Sequence, residues 1–155
     1  MKDFVIKNGK KLRCGFTTGT CATAAAAAAS IMIFTGKTVE SVAVTLPKGE
    51  ILFIHIENPS FNVQGTRCYV KKDSGDDPDI TDGILVCVDV RLDDTGKINI
   101  EGGKGVGRVT QRGLDQPVGE AAINSVPRKM ITENLERICR QYKYYGGITV
   151  VISVP

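Results

Sequence analysis

Thr17-Thr18-Gly19-Thr20-Cys21-Ala22-Thr23-Ala24-Ala25-Ala26-Ala27-Ala28-Ala29-Ser30-Ile31-Met32-Ile33-Phe34-Thr35-Gly36 is the stretch that decides the fold class. Alanine carries the highest helix propensity, and Thr35-Gly36 is a stop, so the run predicts a helix over Ala22–Phe34. Six consecutive alanines followed by Ile31, Met32, Ile33 and Phe34 make that helix slim and apolar all round. A helix apolar on every side is expected to be buried, here packed closely on a sheet. The Gly/Thr turn before it presents amides, hydroxyls and the positive end of the helix dipole, the ingredients of an anion site. Thr18 or Thr20 acting only as a helix cap is the structural alternative.

Working outward, Val39–Leu46 and Ile51–Glu57 read as a β-hairpin across Pro47-Lys48-Gly49-Glu50. His55 falls on its polar face and, lacking a ligand partner nearby, reads as a surface residue. Phe61–Val70 and Ile84–Leu92 are β-like, and Asp93-Asp94-Thr95-Gly96 reads as a hairpin turn into Lys97–Ile100. Pro117 to Arg128 is expected to be irregular, fenced by Pro117 and Pro127. A helix follows from about Lys129 to Tyr142, with Ile131, Leu135, Ile138 and Tyr142 on one stripe. Ile148–Val154 reads as a buried strand. The expectation is a mixed α/β (α+β) layer structure: the Ala-rich helix on a sheet of roughly five to seven strands, with one C-terminal amphipathic helix. Gly102–Gly107 fits neither GxGxxG nor GxxxxGK[ST] and is followed by β-like residues, so a Rossmann domain is not expected.

At 155 residues the chain is expected to be one domain with a core that needs no disulfides. Five cysteines, at 14, 21, 68, 87 and 139, include no CxxC pair, which predicts reduced thiols and a cytoplasmic protein. A net charge of +3 does not demand nucleic acid, and the absence of Trp weakens any case for base stacking. No run of uninterrupted apolar residues reaches the length of a membrane span, so no membrane partner is expected. The last strand lacks a polar exit, so the chain is expected to be followed by more sequence in its natural setting.

Lys71-Lys72-Asp73-Ser74-Gly75-Asp76-Asp77-Pro78-Asp79-Ile80-Thr81-Asp82-Gly83 places five carboxylates within ten residues, on a backbone broken by Gly75, Pro78 and Gly83. Crowded carboxylates raise one another's pKa, so one of them can hold or pass a proton near neutrality. Short acidic side chains are also ordinary turn formers. An EF-hand register does not fit, although a looser Ca²⁺ site from Asp76, Asp77 and Asp79 does, which would make the chain a non-catalytic ion- or partner-binding module.

Three blocks resemble one family. They are Arg13–Ala22 (RCGFTTGTCA), Lys72–Thr81 (KDSGDDPDIT), and Gly103-x-Gly105-Val106-Gly107-Arg108-Val109-Thr110 with Pro117–Asn124 (PVGEAAIN). In this order they are similar to CbiD, the cobalt-precorrin-5B C1-methyltransferase family of anaerobic cobalamin biosynthesis. The family's usual length implies that this chain is its N-terminal part. The resemblance implies methyl transfer from S-adenosylmethionine to C1 of a small-molecule corrinoid, with cobalt arriving inside the substrate and no metal site in the protein. It also implies hand-over from the preceding pathway enzyme. Asp73, Asp76, Asp77 and Asp79 are then the candidate catalytic residues. Thr17, Thr18, Gly19 and Thr20 are candidates to bind a carboxylate, either an acetate or propionate group of the substrate or the carboxylate of the methyl donor. Lys72, Arg108, Glu120, Asn124 and Arg128 complete that set.

Overall fold

The structure, a computed structural model, describes residues 4–7, 10–13, 17–73, 83–106 and 125–155. Strands β1 (Phe4–Lys7) and β2 (Lys10–Arg13) form an antiparallel pair, and α1 (Thr18–Thr35) follows. Then come β3 (Ser41–Thr45), β4 (Ile51–His55), β5 (Glu57–Phe61), β6 (Thr66–Lys71), β7 (Leu85–Asp93) and β8 (Ile98–Gly102). Helix α2 (Ser125–Gln141) and strand β9 (Gly147–Ser153) close the chain. The main sheet has the order β5-β6-β7-β9-β8, antiparallel except where β8 meets β9. β3 and β4 form a separate hairpin. The expected mixed α+β layering is therefore present, with the strands divided among a five-stranded sheet and two hairpins.

Alanine is what lets α1 sit inside. Cys21, Ala22 and every residue from Thr23 to Ser30 are buried, because the helix is enclosed by β6 and β7, by α2 and by β3. Side chains no larger than a methyl group let three neighbours approach the helix axis together. Its buried hydroxyls are satisfied by their own helix, Thr23 donating to the Gly19 carbonyl and Ser30 to the Ala26 carbonyl, both at 2.8 Å. Thr66 donates from the sheet to the Ala29 carbonyl at 2.7 Å. By length and composition α1 passes as a membrane span, yet 67% of that window is buried inside the fold.

The sheet presents Cys68, Val70, Val86, Val88, Val90, Ile148, Val150 and Ile152 to the helices, the period-two signature of a half-buried sheet. On α2, Ile131, Leu135 and Ile138 are buried, and Tyr142 stacks on Phe34 with ring centroids 5.3 Å apart.

Four local expectations are corrected. The first helix starts at Thr18 rather than Ala22. Phe61–Val70 is two strands, split by a turn in which the Asn62 side chain accepts from the Gln64 and Gly65 amides. The second helix starts at Ser125, with Pro127 in its first turn, where no intrahelical amide is needed. Finally, Asp93–Gly96 does not close a hairpin, because β9 inserts between β7 and β8.

Candidate active site

Of the three sequence blocks, the described parts Thr17–Ala22, Lys72–Asp73 and Gly103–Val106 arrive at one end of the main sheet. β6 ends there at Lys71, opposite Leu85 at the start of β7. β9 finishes there too, with Ser153 opposite Cys87 and Ile152 opposite Gly102 of β8. The N-terminus of α1 reaches the same end, since Cys21 feels the charges of both Lys72 and Asp73. So does the first turn of α2. A Cβ added to Gly19 would lie 2.9 Å from Pro127 Cγ, so Gly19 is the residue that lets the two helix ends touch.

The start of α1 is built by Thr17. Its extended backbone (φ −77°, ψ 161°) is that of an N-cap, and its hydroxyl accepts from the Thr20 amide at 3.0 Å. The two hydroxyls of Thr17 and Thr20 lie 2.9 Å apart, and the Cys21 amide makes the first helical bond to the Thr17 carbonyl. The Thr18 and Gly19 amides have no acceptor within the helix itself. The cap is thus Thr17, not Thr18 or Thr20. Its signal, a threonine ahead of the first helical turn, was masked by Gly19, which reads as a turn residue.

The acidic stretch leaves from a clamped base. The Lys72 amide donates to the Ile84 carbonyl and the Gly83 amide to the Lys72 carbonyl, each at 2.8 Å, with Gly83 left-handed at φ +80°. Lys72 is only 9% exposed, and Asp73 is half-buried beside it. Cys21 is fully buried here; burial pushes its thiol up to about 11, with Lys72 pulling the other way. It is therefore neutral at physiological pH, a packing residue rather than a nucleophile. Cys68, Cys87 and Cys139 are likewise unpaired thiols, as the cysteine spacing predicts.

The glycines after β8 serve the same end of the sheet. The Gly103 amide donates to the Ile152 carbonyl at 2.7 Å, and the Val154 amide to the Lys104 carbonyl at 2.8 Å. Gly105 has φ +80°, and a Cβ there would lie 2.0 Å from the Val154 carbonyl oxygen. These glycines let backbone lie on backbone at the end of β9; they do not form a nucleotide loop.

Of the candidate residues, Thr17, Thr18, Gly19, Thr20, Lys72, Asp73 and Arg128 are placed at this end, Arg128 half-buried in the first turn of α2. Asp76, Asp77, Asp79, Arg108, Glu120 and Asn124 lie outside the described residues. His55 is exposed and sits 3.7 Å from Glu57, as expected of a surface residue. Sequence reasoning missed Cys21 and Pro127, whose place at the site depends on helix packing and leaves no local signal.

The CbiD family model matches residues 5–155. Among curated proteins, the chain is 49% identical over 153 residues to the cobalt-precorrin-5B C(1)-methyltransferase of Ruminiclostridium cellulolyticum, covering 99% of this chain and 40% of that one. It is 47% identical to the protein of the same name from Alkaliphilus oremlandii, covering 98% and 41%. The 1.9 Å crystal structure of the cobalamin biosynthesis protein CbiD from Archaeoglobus fulgidus superposes with a TM-score of 0.72 at 29% identity, over 97% of this chain and 47% of that one. The chain thus spans about two fifths of the length of these curated relatives. With its fold and nearly its whole length matched, the chain belongs to the CbiD family.

Proposed function

We propose that this chain carries the corrinoid-binding part of an S-adenosylmethionine-dependent methyltransferase that converts cobalt-precorrin-5B to cobalt-precorrin-6A by methylating C1. The observation that supports it most is the family match over residues 5–155, in which the described residues Thr17–Ala22, Lys72–Asp73 and Gly103–Val106 lie at one end of the sheet. That end suits a substrate fringed with carboxylates. Two helix N-termini meet there, with the largely buried Lys72 and with Arg128 on the first turn of α2. Dipole ends and ammonium groups in a partly desolvated site favour anions. The same charge is unfavourable for a sulfonium, so the methyl donor is expected nearer the carboxylates of the acidic stretch.

When bound, the donor supplies an electrophilic methyl group; the C1–CH₃ bond forms as the sulfur–CH₃ bond breaks, leaving a neutral thioether. The protein's part is to hold the ring carbon in line with that methyl group, so positioning supplies much of the rate. Thr17, Thr18, Gly19 and Thr20 hold a peripheral carboxylate, and Lys72 and Arg128 fix its orientation. A carboxylate among Asp73, Asp76, Asp77 and Asp79 takes the proton released as C1 becomes nucleophilic. Cobalt enters as part of the substrate.

The test compares this chain with the intact Ruminiclostridium relative for binding of the corrinoid and the methyl donor, and for turnover. Corrinoid binding by both, with turnover by this chain at least ~10²-fold lower, is the expected result, since positioning of the second reactant is then lost. Failure of this chain to bind the corrinoid overturns the reading. Equal turnover shows that the remaining polypeptide is dispensable.

A further inference from the structure

Helices α1 and α2 run side by side in the same direction. Gly19 meets Pro127 at their first turns, and Phe34 stacks on Tyr142 where they finish. Their positive dipole ends are neighbours and repel, so the packing that holds them together has to come from elsewhere. Each first turn is anchored to the core by the turn that follows it. Cys21 and Thr23 are fully buried, and the Thr23 hydroxyl donates to the Gly19 carbonyl at 2.8 Å. After Pro127, Met130 and Ile131 are buried, and Asn134 bonds to the Met130 carbonyl and to both backbone groups of Thr45. Neither turn can back away without disturbing the core. The contact between them is rigid as well. Gly19 offers no side chain, and the Pro127 ring is closed on its own backbone nitrogen, so it cannot swing aside. A Cβ at position 19 would lie 2.9 Å from Pro127 Cγ and 3.1 Å from Pro127 Cβ, closer than carbons pack. One added methyl group would push the two helix starts apart.

We propose that Pro127 is a positioning residue for the corrinoid. Through its contact with Gly19 it sets the spacing between the start of α1 and Arg128, which follows it in the first turn of α2. At that spacing the Thr18 and Gly19 amides and the Arg128 guanidinium serve one carboxylate of the substrate. Pro127 has neither a charge nor a hydrogen-bond donor to offer a carboxylate, so its contribution is distance. A displacement of about 1 Å between groups that act on one ligand is enough to weaken their joint action severely. This inference rests on the corrinoid-binding reading and adds to it the residue that sets the grip.

The test measures binding of cobalt-precorrin-5B to this chain as wild type, Gly19→Ala, Pro127→Ala and the double variant, with thermal melting as the folding control. Alanine is the better helix former, so without the contact Gly19→Ala would leave binding unchanged and raise the melting temperature. The expected result is a dissociation constant at least ~10-fold higher in Gly19→Ala. In Gly19→Ala/Pro127→Ala it should return to within about three-fold of wild type, because the two changes act on one contact. That recovery separates spacing from simple blockage of the ligand, since the double variant keeps the added methyl group. Pro127→Ala alone leaves the helix starts without their spacer and should weaken binding about three-fold. Where a variant carrying the methyl group does not fold, that single change decides, and an unchanged dissociation constant overturns the role. A folded Gly19→Ala that binds like wild type overturns it too, and leaves the corrinoid reading standing. So does a folded double variant that binds no better than Gly19→Ala. Wild-type chain that does not bind the corrinoid overturns both.

Discussion

At Asp77 and Asp79 the charge and the turn-forming side chain can be separated by exchanging one oxygen for an amide nitrogen. Asn keeps the local backbone bonds of a turn but can neither take a proton nor balance a cation. Asp77→Asn or Asp79→Asn in the intact relative, at the aligned positions, should leave thermal melting unchanged and lower turnover by ~10²-fold or more. Asp76 is the next candidate. Asp73 sits beside the clamped base formed by Lys72, Gly83 and Ile84, which makes it the most structural of the four. Wild-type turnover in all four Asn variants would reduce the stretch to architecture and move the general base to Glu120. The side chains that could be read from sequence were those with distinctive chemistry. Cys21 could not, since its role is to be buried between α1 and the end of β6.

Among the elements, the corner joining β7 to β9 shows how one carboxylate holds a topology. Asp93 accepts from the Thr149 hydroxyl of β9, and from the Thr95 hydroxyl at 2.7 Å and the Thr95 amide at 3.0 Å. Tyr144 donates to the Asp93 and Gly147 carbonyls at 2.9 and 2.7 Å, tying the same corner from above. The bonds from Thr149 and then Thr95 hold the Asp93 carboxyl below its ordinary value of 3.8. The unfolded chain therefore takes up this proton first. The resulting stabilisation is complete above the ordinary value and is lost as pH falls through it towards the lower folded value. Melting temperatures measured from pH 7 to pH 3 should fall less steeply in Asp93→Asn than in wild type. Its pH 7 value should lie below wild type. An identical acid slope would show that the carboxylate is not specially stabilised. The residues 93–96 carry every local mark of a hairpin turn, and they do make a turn; what they cannot specify is which strand lies beside β7 afterwards.

Over the whole molecule, the two helices join the hairpin to the main sheet, and one buried amide makes the connection. Asn134 on α2 is 2% exposed. Its side chain accepts from the Thr45 amide and donates to the Thr45 carbonyl, both at 3.1 Å, and also donates to the Met130 carbonyl at 2.8 Å. Asn134→Ala leaves both backbone groups of Thr45 without that partner, a cost of about 1–3 kcal/mol. In a domain of this size that is a fall of roughly 3–10 °C in melting temperature. A shift under 1 °C would show that water replaces the amide freely. The sequence by itself determined the Ala-rich core helix, the amphipathic second helix, the alternating strands and the family. Each of these is written in residues a few positions apart, through propensity, period or a contiguous motif. Tertiary structure alone decided that β9 separates β7 from β8, that Thr17 rather than Thr18 or Thr20 caps α1, and that Gly19 meets Pro127. Strand order is chosen by which arrangement buries the faces of Ile148, Val150 and Ile152 together with those of Val86, Val88 and Val90, and no local pattern records that choice.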